Sequence, residues 1–363
     1  MELNICSYFE NEIPQRKMKS TLTSHITKVR IGILGCASVA EKSAIAAFKA
    51  IPNAELIGIA SRDQNKAQSW AERFSIKAYP SYDALLSDPE IDAVYIPLPI
   101  GLHEEWGSKA AYAKKHIICE KSLAHTYDAV KRLVAICQKN SVVLYENFMC
   151  EYHPQHEHVK NAIQEGKIGT PHIFKGYFGF PPLKQDSFRY NANLGGGSLN
   201  DAGAYTVFMA RLIFGLEPLN VSAHLNVDPV TNVDICGSVL LEFPNNHHAL
   251  LAFGFDHVYQ NNYELWGSTG LIRVHRAYSI PPNLKPSAEL LTNINFQETV
   301  TPLDIPAANQ FELIFSDFCN TILNGNTKER ESYYYKILNQ AKVLEATRQS
   351  HHQKRCISIE EIK

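Results

Sequence analysis

The chain has no apolar run long enough to cross a bilayer. Its longest hydrophobic stretches, such as Ala93 to Ile96, fall far short of the roughly 20 residues a spanning helix needs. It has no basic stripe, and its formal net charge is -2, so neither nucleic acid nor another polyanion is expected as a partner. It has no cysteine pair at two-residue spacing. Cys6, Cys36, Cys119, Cys137, Cys150, Cys236, Cys319 and Cys356 are scattered singly, which argues against a zinc knuckle or a dithiol redox motif and fits reduced thiols in a cytoplasmic protein. Histidine is plentiful at 15, but His247-His248 and His351-His352 are sequence neighbours, which do not converge on one ion as i, i+4 pairs do; no metal site is expected. No signal-peptide core lies in Met1 to Thr27. Residues 1–28 read as a loose polar tail, in which Met18 offers an alternative start, and no internal repeat or low-complexity block follows.

What is present is ordinary globular composition, 45% hydrophobic and 20% charged over 363 residues, a length that suggests about two domains. From Val29 to Phe148 apolar strands alternate with helices: strands at Val29 to Leu34, Ala54 to Ala60, Ala93 to Ile96, His116 to Cys119 and Val142 to Tyr145, with helices between them. Continuous apolar strands joined by crossover helices predict a doubly wound parallel sheet over 29–148. After a helix from Pro154 to Gln164 the texture becomes β-branched and aromatic alternation, in six segments between His172 and His275, and two helices close the chain. That predicts an α+β domain over 149–363 with a mostly antiparallel open sheet.

The first strand ends in Gly35-Cys36-Ala37-Ser38-Val39-Ala40 and opens a helix, the position of a dinucleotide fingerprint, with alanines where the second and third glycines would stand. The second strand ends in Ser61-Arg62. No acid stands there for a ribose diol, although Asp63 is one residue on, and the Arg62 fork suits a 2′-phosphate. A hydrogen bond to a charged group contributes about 1.5 to 3 kcal/mol, or roughly one to two orders of magnitude in favour of NADP(H) over NAD(H). Two further strand ends carry Pro97-Leu98-Pro99 with His103 beyond it, and Glu120-Lys121; both are expected in the cofactor crevice. Far downstream, Gly195-Gly196-Gly197-Ser-Leu-Asn-Asp201-Ala-Gly-Ala-Tyr205 sets a carboxylate and a phenol at i and i+4. If the run opens a helix, both project from one face near its N-terminus. The glycines read as a tight backbone turn. An ordinary turn, a helix-capping carboxylate and a half-buried tyrosine would explain each piece separately.

Taken together, these strings resemble the glucose-fructose oxidoreductase / inositol dehydrogenase (Gfo/Idh/MocA) family over nearly the whole chain from Val29. Within it, Glu146-Asn-Phe-Met149, His153-Pro-Gln-His156, Phe188-Arg-Tyr190 and Tyr263-Glu-Leu-Trp-Gly-Ser-Thr-Gly270 are similar to dTDP-sugar 3-ketoreductases. The resemblance implies a Rossmann domain and a second domain whose free sheet face makes a homo-oligomer. It implies Lys121, Asp201 and Tyr205 as the catalytic group. It places Gly35, Cys36, Ala37, Ser38, Val39, Ser61, Arg62, Leu98, His103, Glu120, Lys121 and Arg189 around NADP(H). One departure is Ser122, where the family usually has proline.

The implied chemistry is hydride transfer from NADPH to the ketone of a nucleotide-linked deoxysugar, with Tyr205 protonating the oxygen. The Lys121 ammonium is expected to lower the phenol's pKa, and Lys184 and Arg189 are candidates for the substrate's diphosphate. The rival readings are an NADP-dependent dehydrogenase of a free aldose or cyclic trans-diol, and a non-catalytic cofactor-sensing regulator.

Overall fold

A computed structural model describes residues 28–325 and 327–363. The expected polar tail, with Met18 and Cys6, therefore lies outside the described residues apart from Lys28, as does Asn326. Strands β1 (Val29–Leu34), β2 (Ala54–Ala60), β3 (Lys77–Tyr79), β4 (Ala93–Ile96), β5 (His116–Cys119) and β6 (Leu144–Glu146) form one sheet in the order β3-β2-β1-β4-β5-β6. Every pairing in it is parallel. This is the doubly wound order, whose carboxyl edge forms a crevice where the strand order reverses between β1 and β4.

The crossovers are α1 (Ile45–Ala50), α2 (Gln64–Phe74), α3 (Tyr82–Leu86), α4 (His103–Tyr112) and α5 (Tyr127–Asn140). Their starts are written in short polar side chains. Asp63, Ser81 and Thr126 each accept a hydrogen bond from the backbone N–H three residues on, which satisfies an otherwise orphaned donor. Strand β3 and helix α3 are absent from the sequence reading because each spans less than two turns or pleats of pattern, too short for periodicity to register.

Helix α6 (Pro154–Gln164) leads to a second sheet, of β7 (Pro171–Phe180), β8 (Asn220–Val227), β9 (Asp234–Glu242), β10 (His248–Phe255), β11 (Gln260–Gly267), β12 (Gly270–His275), β13 (Ser287–Ile294), β14 (Gln297–Pro302) and β15 (Ile357–Ser358). Its order is β14-β13-β12-β11-β7-β10-β9-β8-β15, and all neighbours are antiparallel except β7 and β10. Helix α7 (Ala204–Phe214) covers one face, which explains why it is apolar nearly all round. Strands β13 and β14 carry little alternation for a physical reason: β14 is exposed along its length, and β13 is mostly half-buried, with only Ala288 buried among its described side chains.

Two closing helices, α8 (Gln310–Asn324) and α9 (Thr327–Gln353), return to the first domain. Phe315 of α8 stacks on Phe48 of α1 at 3.9 Å between centroids, and the Asn53 amide donates to the Ser316 carbonyl (2.8 Å). The core thus runs from one sheet into the other. Its most polar knot is Asp317, whose carboxylate accepts hydrogen bonds from the phenols of Tyr145 (2.9 Å), Tyr152 (2.7 Å) and Tyr333 (2.6 Å). These come from β6, the turn after it, and α9, so one carboxylate ties four segments together. Asp317→Ala removes the shared acceptor, leaving Tyr145 with only the Thr321 hydroxyl (2.9 Å) and Tyr152 and Tyr333 with only each other (2.7 Å). A loss of about 2 to 3 kcal/mol is expected by urea unfolding; a change under about 0.5 kcal/mol would mean the knot contributes nothing.

Candidate active site

Between the carboxyl edge of the parallel sheet and the second sheet lies a cleft of about 560 Å³. One wall comes from the first domain, with Ala37, Ser38, Val39, Leu98, Glu120 and Lys121; the other carries Phe178, Phe180, Arg189, Asp201 and Tyr205. Neither domain alone makes the site.

Lys121 reaches the cleft because β5 ends at Cys119 and the next N–H, of Glu120, still pairs with the Ile96 carbonyl of β4 (3.1 Å), so the chain leaves the sheet only at the lysine. The Lys121–Ser122 peptide is cis. Ser122 is buried, and its hydroxyl donates to the Asn200 carbonyl (2.9 Å), a bond that proline has no group to make. Across the cleft, Leu199–Gly203 is a π turn that runs directly into α7. The expected i, i+4 pair on one α-helix is therefore corrected. Asp201 sits in the π turn and Tyr205 in the α-helix, an irregularity of a kind frequent at functional sites. The turn is held by Asp234, which accepts from the Ser198 hydroxyl and the Leu199 N–H, both at 2.6 Å. Gly197, at φ 114, has room for no side chain: a Cβ there would lie 2.3 Å from Asp234 Oδ1.

Asp201 is the electrostatic centre. Its Oδ1 accepts from Lys121 Nζ at 2.8 Å, its carbonyl accepts from the same Nζ at 2.7 Å, and its Oδ2 accepts from Arg189 Nε at 2.5 Å. The Lys121 and Asp201 side chains are 8% and 10% exposed, so this pair is screened little by water. Burial alone would push the Asp201 carboxyl up; the charges of Lys121 and Arg189 overcome it and hold the group well below the usual carboxylate range.

Tyr205 behaves differently from expectation. Its phenol is pushed well above 10, first by burial and then by the neighbouring Glu120, Cys150 and Asp201, with Arg189 opposing. The anticipated lowering by Lys121 does not occur. The ammonium lies over the ring face, 4.6 Å from its centroid, with its charge already engaged by Asp201. The phenol oxygen meets Met149 Sδ at 3.6 Å, and Phe148 and Phe178 pack edge-on against the ring.

Glu120 lines the cleft with its carboxylate accepting from Tyr95 (2.7 Å) and Asn147 (2.6 Å), and burial raises its pKa despite both bonds. His103 is not among the lining residues. It is fully buried, with its ring nitrogens 2.7 Å from the Leu98 carbonyl and 3.0 Å from that of Ser122. Burial holds its pKa down to about 4, so the neutral ring donates to one carbonyl at a time and steadies both cleft-edge loops from behind.

The dinucleotide loop fits a cofactor by its own geometry. Gly35 has φ 117, and a Cβ there would lie 2.8 Å from Leu98 Cδ2, so the tight turn requires glycine. Ala37, Ser38 and Val39 line the cleft, while Cys36, Ser61 and Arg62 lie beside it rather than in it. Asp63 caps α2 by accepting from the Lys66 N–H (3.1 Å), which commits the carboxylate that was a candidate for the ribose diol. Arg62 is exposed and without an ion-pair partner among the described residues. Lys66 is a cation the sequence reading passed over. Its Nζ reaches back to the Cys36 carbonyl (2.8 Å), and a lysine in the first turn after Arg62 was the available signal. Among the described residues no cluster could hold a metal ion, and no helix is long and apolar enough to cross a membrane.

Asp201 folds with a depressed pKa, so its contribution to stability is present above the unfolded carboxyl value near pH ~4 and is lost as pH falls through and below it. Asp201→Asn leaves two cations without a counter-charge and is expected to cost about 3 to 5 kcal/mol at pH 7, and somewhat less at pH 3, which lies below the unfolded carboxyl value but above the depressed folded one. Urea unfolding at the two pH values measures both, and an Asn variant as stable as the parent at pH 7 would refute the assignment.

Comparison with known proteins agrees with this geometry. Residues 29–148 match the model of the oxidoreductase family with an NAD-binding Rossmann fold, and residues 156–273 match the GFO/IDH/MocA C-terminal domain. The chain is 39% identical over 299 residues to dTDP-3,4-didehydro-2,6-dideoxy-alpha-D-glucose 3-reductase of Saccharopolyspora spinosa, covering 82% of this chain and 88% of that one. It is 35% identical over 253 residues to D-xylose 1-dehydrogenase (NADP(+)) 2 of Haloferax volcanii, covering 69% and 77%. A 3-ketoreductase from Actinomadura kijaniata, solved in complex with NADP and TDP-benzene, superposes with a TM-score of 0.84 at 35% identity, over 89% of this chain and 98% of the other. With both of its halves matched, this chain belongs to the GFO/IDH/MocA family of NAD-binding oxidoreductases.

Proposed function

We propose that the protein is an NADPH-dependent ketoreductase acting on the C3 carbonyl of a dTDP-linked deoxy-keto-sugar. The observation that carries this reading is the buried Lys121, Asp201 and Tyr205 group, set in a cleft with a dinucleotide loop on one wall and an aromatic sheet face on the other. The 3-reductase relative and the ketoreductase solved with NADP and TDP-benzene support the substrate class. Arg62, free of an ion-pair partner, supports NADP(H) over NAD(H), with Lys66 beside it. The dehydrogenase reading also has a relative, but it needs no nucleotide on the sugar. A cofactor-sensing regulator has no use for a lysine, a carboxylate and a phenol held together in this way.

When bound, the nicotinamide supplies a hydride to the carbonyl carbon. The protein supplies the proton and the charge. Tyr205 stays protonated at neutral pH because burial and nearby acids hold its pKa up, so its proton is in place for the oxygen as negative charge develops there. Lys121 places its ammonium group beside the developing oxyanion. Asp201, with Arg189 behind it, fixes where that charge sits. The apolar ring of Phe148, Phe178 and Met149 keeps water from competing for the proton.

The face of the second sheet away from α7 exposes Leu250 and Trp266. That supports a homo-oligomer through this sheet, in a cytoplasmic enzyme.

Tyr205→Phe is expected to lower kcat on a dTDP-keto-sugar by about 10² to 10⁴ while leaving NADPH affinity within a few-fold, as read by steady-state kinetics and nicotinamide fluorescence. Because the phenol's pKa is raised, the alkaline limb it imposes on kcat should lie above pH ~10. Full turnover in the Phe variant would remove Tyr205 from the reaction. For the cofactor, Arg62→Ala should reduce the preference for NADPH over NADH by about 10- to 100-fold. An unchanged ratio would show that Arg62 does not read the 2′-phosphate.

A further inference from the structure

A substrate linked to a nucleoside diphosphate brings two negative charges into the cleft, and the cations already in it are engaged. Lys121 and Arg189 both bond Asp201. Lys184, the other sequence candidate, is exposed and, among the described residues, stacks on no ring of the cleft. The Rossmann loop serves the cofactor's phosphates, so the substrate's must be met from the second domain.

We infer that Arg276, stacked on the cleft-lining ring of Tyr259, binds the diphosphate of the substrate. Arg276 follows the end of β12, exposed, and among the described residues its guanidinium makes no hydrogen bond or ion pair. Its Cζ lies 5.1 Å from the centroid of the Tyr259 ring. Its backbone has φ 54, in the left-handed region where a non-glycine residue is uncommon, so the chain keeps an arginine at a position that local preference would give to glycine or asparagine.

The platform beneath it is built. Tyr259 and Ser279 line the cleft, and both are pinned by Asn261, which is 4% exposed. The Asn261 amide donates to the Tyr259 hydroxyl (2.9 Å) and to the Ser279 carbonyl (3.0 Å), while its oxygen accepts from the Tyr278 N–H (2.7 Å). One buried side chain thus holds the start of β11 against the segment after β12, with Arg276 lying over the result. A guanidinium fork held flat on an aromatic ring meets two phosphate oxygens at little conformational cost, whereas a mobile lysine would have to be ordered first.

This inference rests on the nucleotide-sugar reading above, and one titration separates the two. The NADP-loaded protein is titrated with dTDP and with thymidine, as parent, Arg276→Ala and Arg276→Lys. The expected result is a loss of dTDP affinity of about 10- to 100-fold in Arg276→Ala, a smaller loss in Arg276→Lys, and thymidine affinity unchanged in both. Equal losses for dTDP and thymidine, or no loss for either, would overturn the role of Arg276 alone. No binding of dTDP by the parent protein would overturn the nucleotide-sugar reading, and this inference with it.

Discussion

A carboxylate shared by two cations organises this molecule. Asp201 accepts from Lys121 of the first domain and from Arg189 of the second, in a setting from which water is mostly excluded. A charge in such a place is costly to leave unpaired. Each partner therefore constrains the others. The lysine must stand where β5 ends, the π turn must deliver the carboxylate, and the loop bearing Arg189 must fold over it. Ser122 and His103 brace one side of this arrangement and Asp234 the other. The two domains are consequently joined at the site as well as through α8 and Asp317.

The same interaction explains the state of Tyr205. An uncommitted ammonium beside a phenol would stabilise the phenolate and make the residue a weaker proton reservoir at neutral pH. With Lys121 neutralised by Asp201, burial dominates and the phenol keeps its proton. In the proposed reduction, Lys121 acts on charge that develops during reaction rather than on charge already present. Division of labour between a held cation and a held proton follows from one ion pair.

Much of the framework was legible from residues in order. The strands of the parallel sheet are continuous apolar runs, and β1, β2, β4 and β5 fall where that pattern puts them. The helix start at Thr126 is announced by its side chain because capping is a local hydrogen bond, whereas Asp63, a candidate for the ribose diol by sequence, is a cap in the structure. The candidate cluster Lys121, Asp201 and Tyr205 was visible through motif resemblance, and the cleft brings the three together. Strands β13 and β14 left no such trace: β14 is exposed throughout, and β13 is half-buried along most of its length with only Ala288 buried among its described side chains, so neither carries a clear alternation. Lys66, Asn261 and Arg276 were missed for another reason. Their roles lie in what they touch: Lys66 had only its place in the turn after Arg62 to mark it, and nothing in the sequence neighbourhoods of Asn261 and Arg276 distinguishes them from surface polar residues.

Local order along the chain was sufficient for the fold class and for the family, because hydrophobic periodicity, turn glycines and short motifs are properties of neighbouring residues. Distance and burial were not contained in it. Whether Lys121 lowers the phenol or is taken up by Asp201, whether His103 faces the cleft or braces it from behind, and which arginine remains free were all settled by packing. The physical reason is that a titratable group's behaviour depends on its desolvation and on charges within a few ångströms, and those neighbours lie as much as 80 residues away in sequence, as Lys121 and Asp201 do.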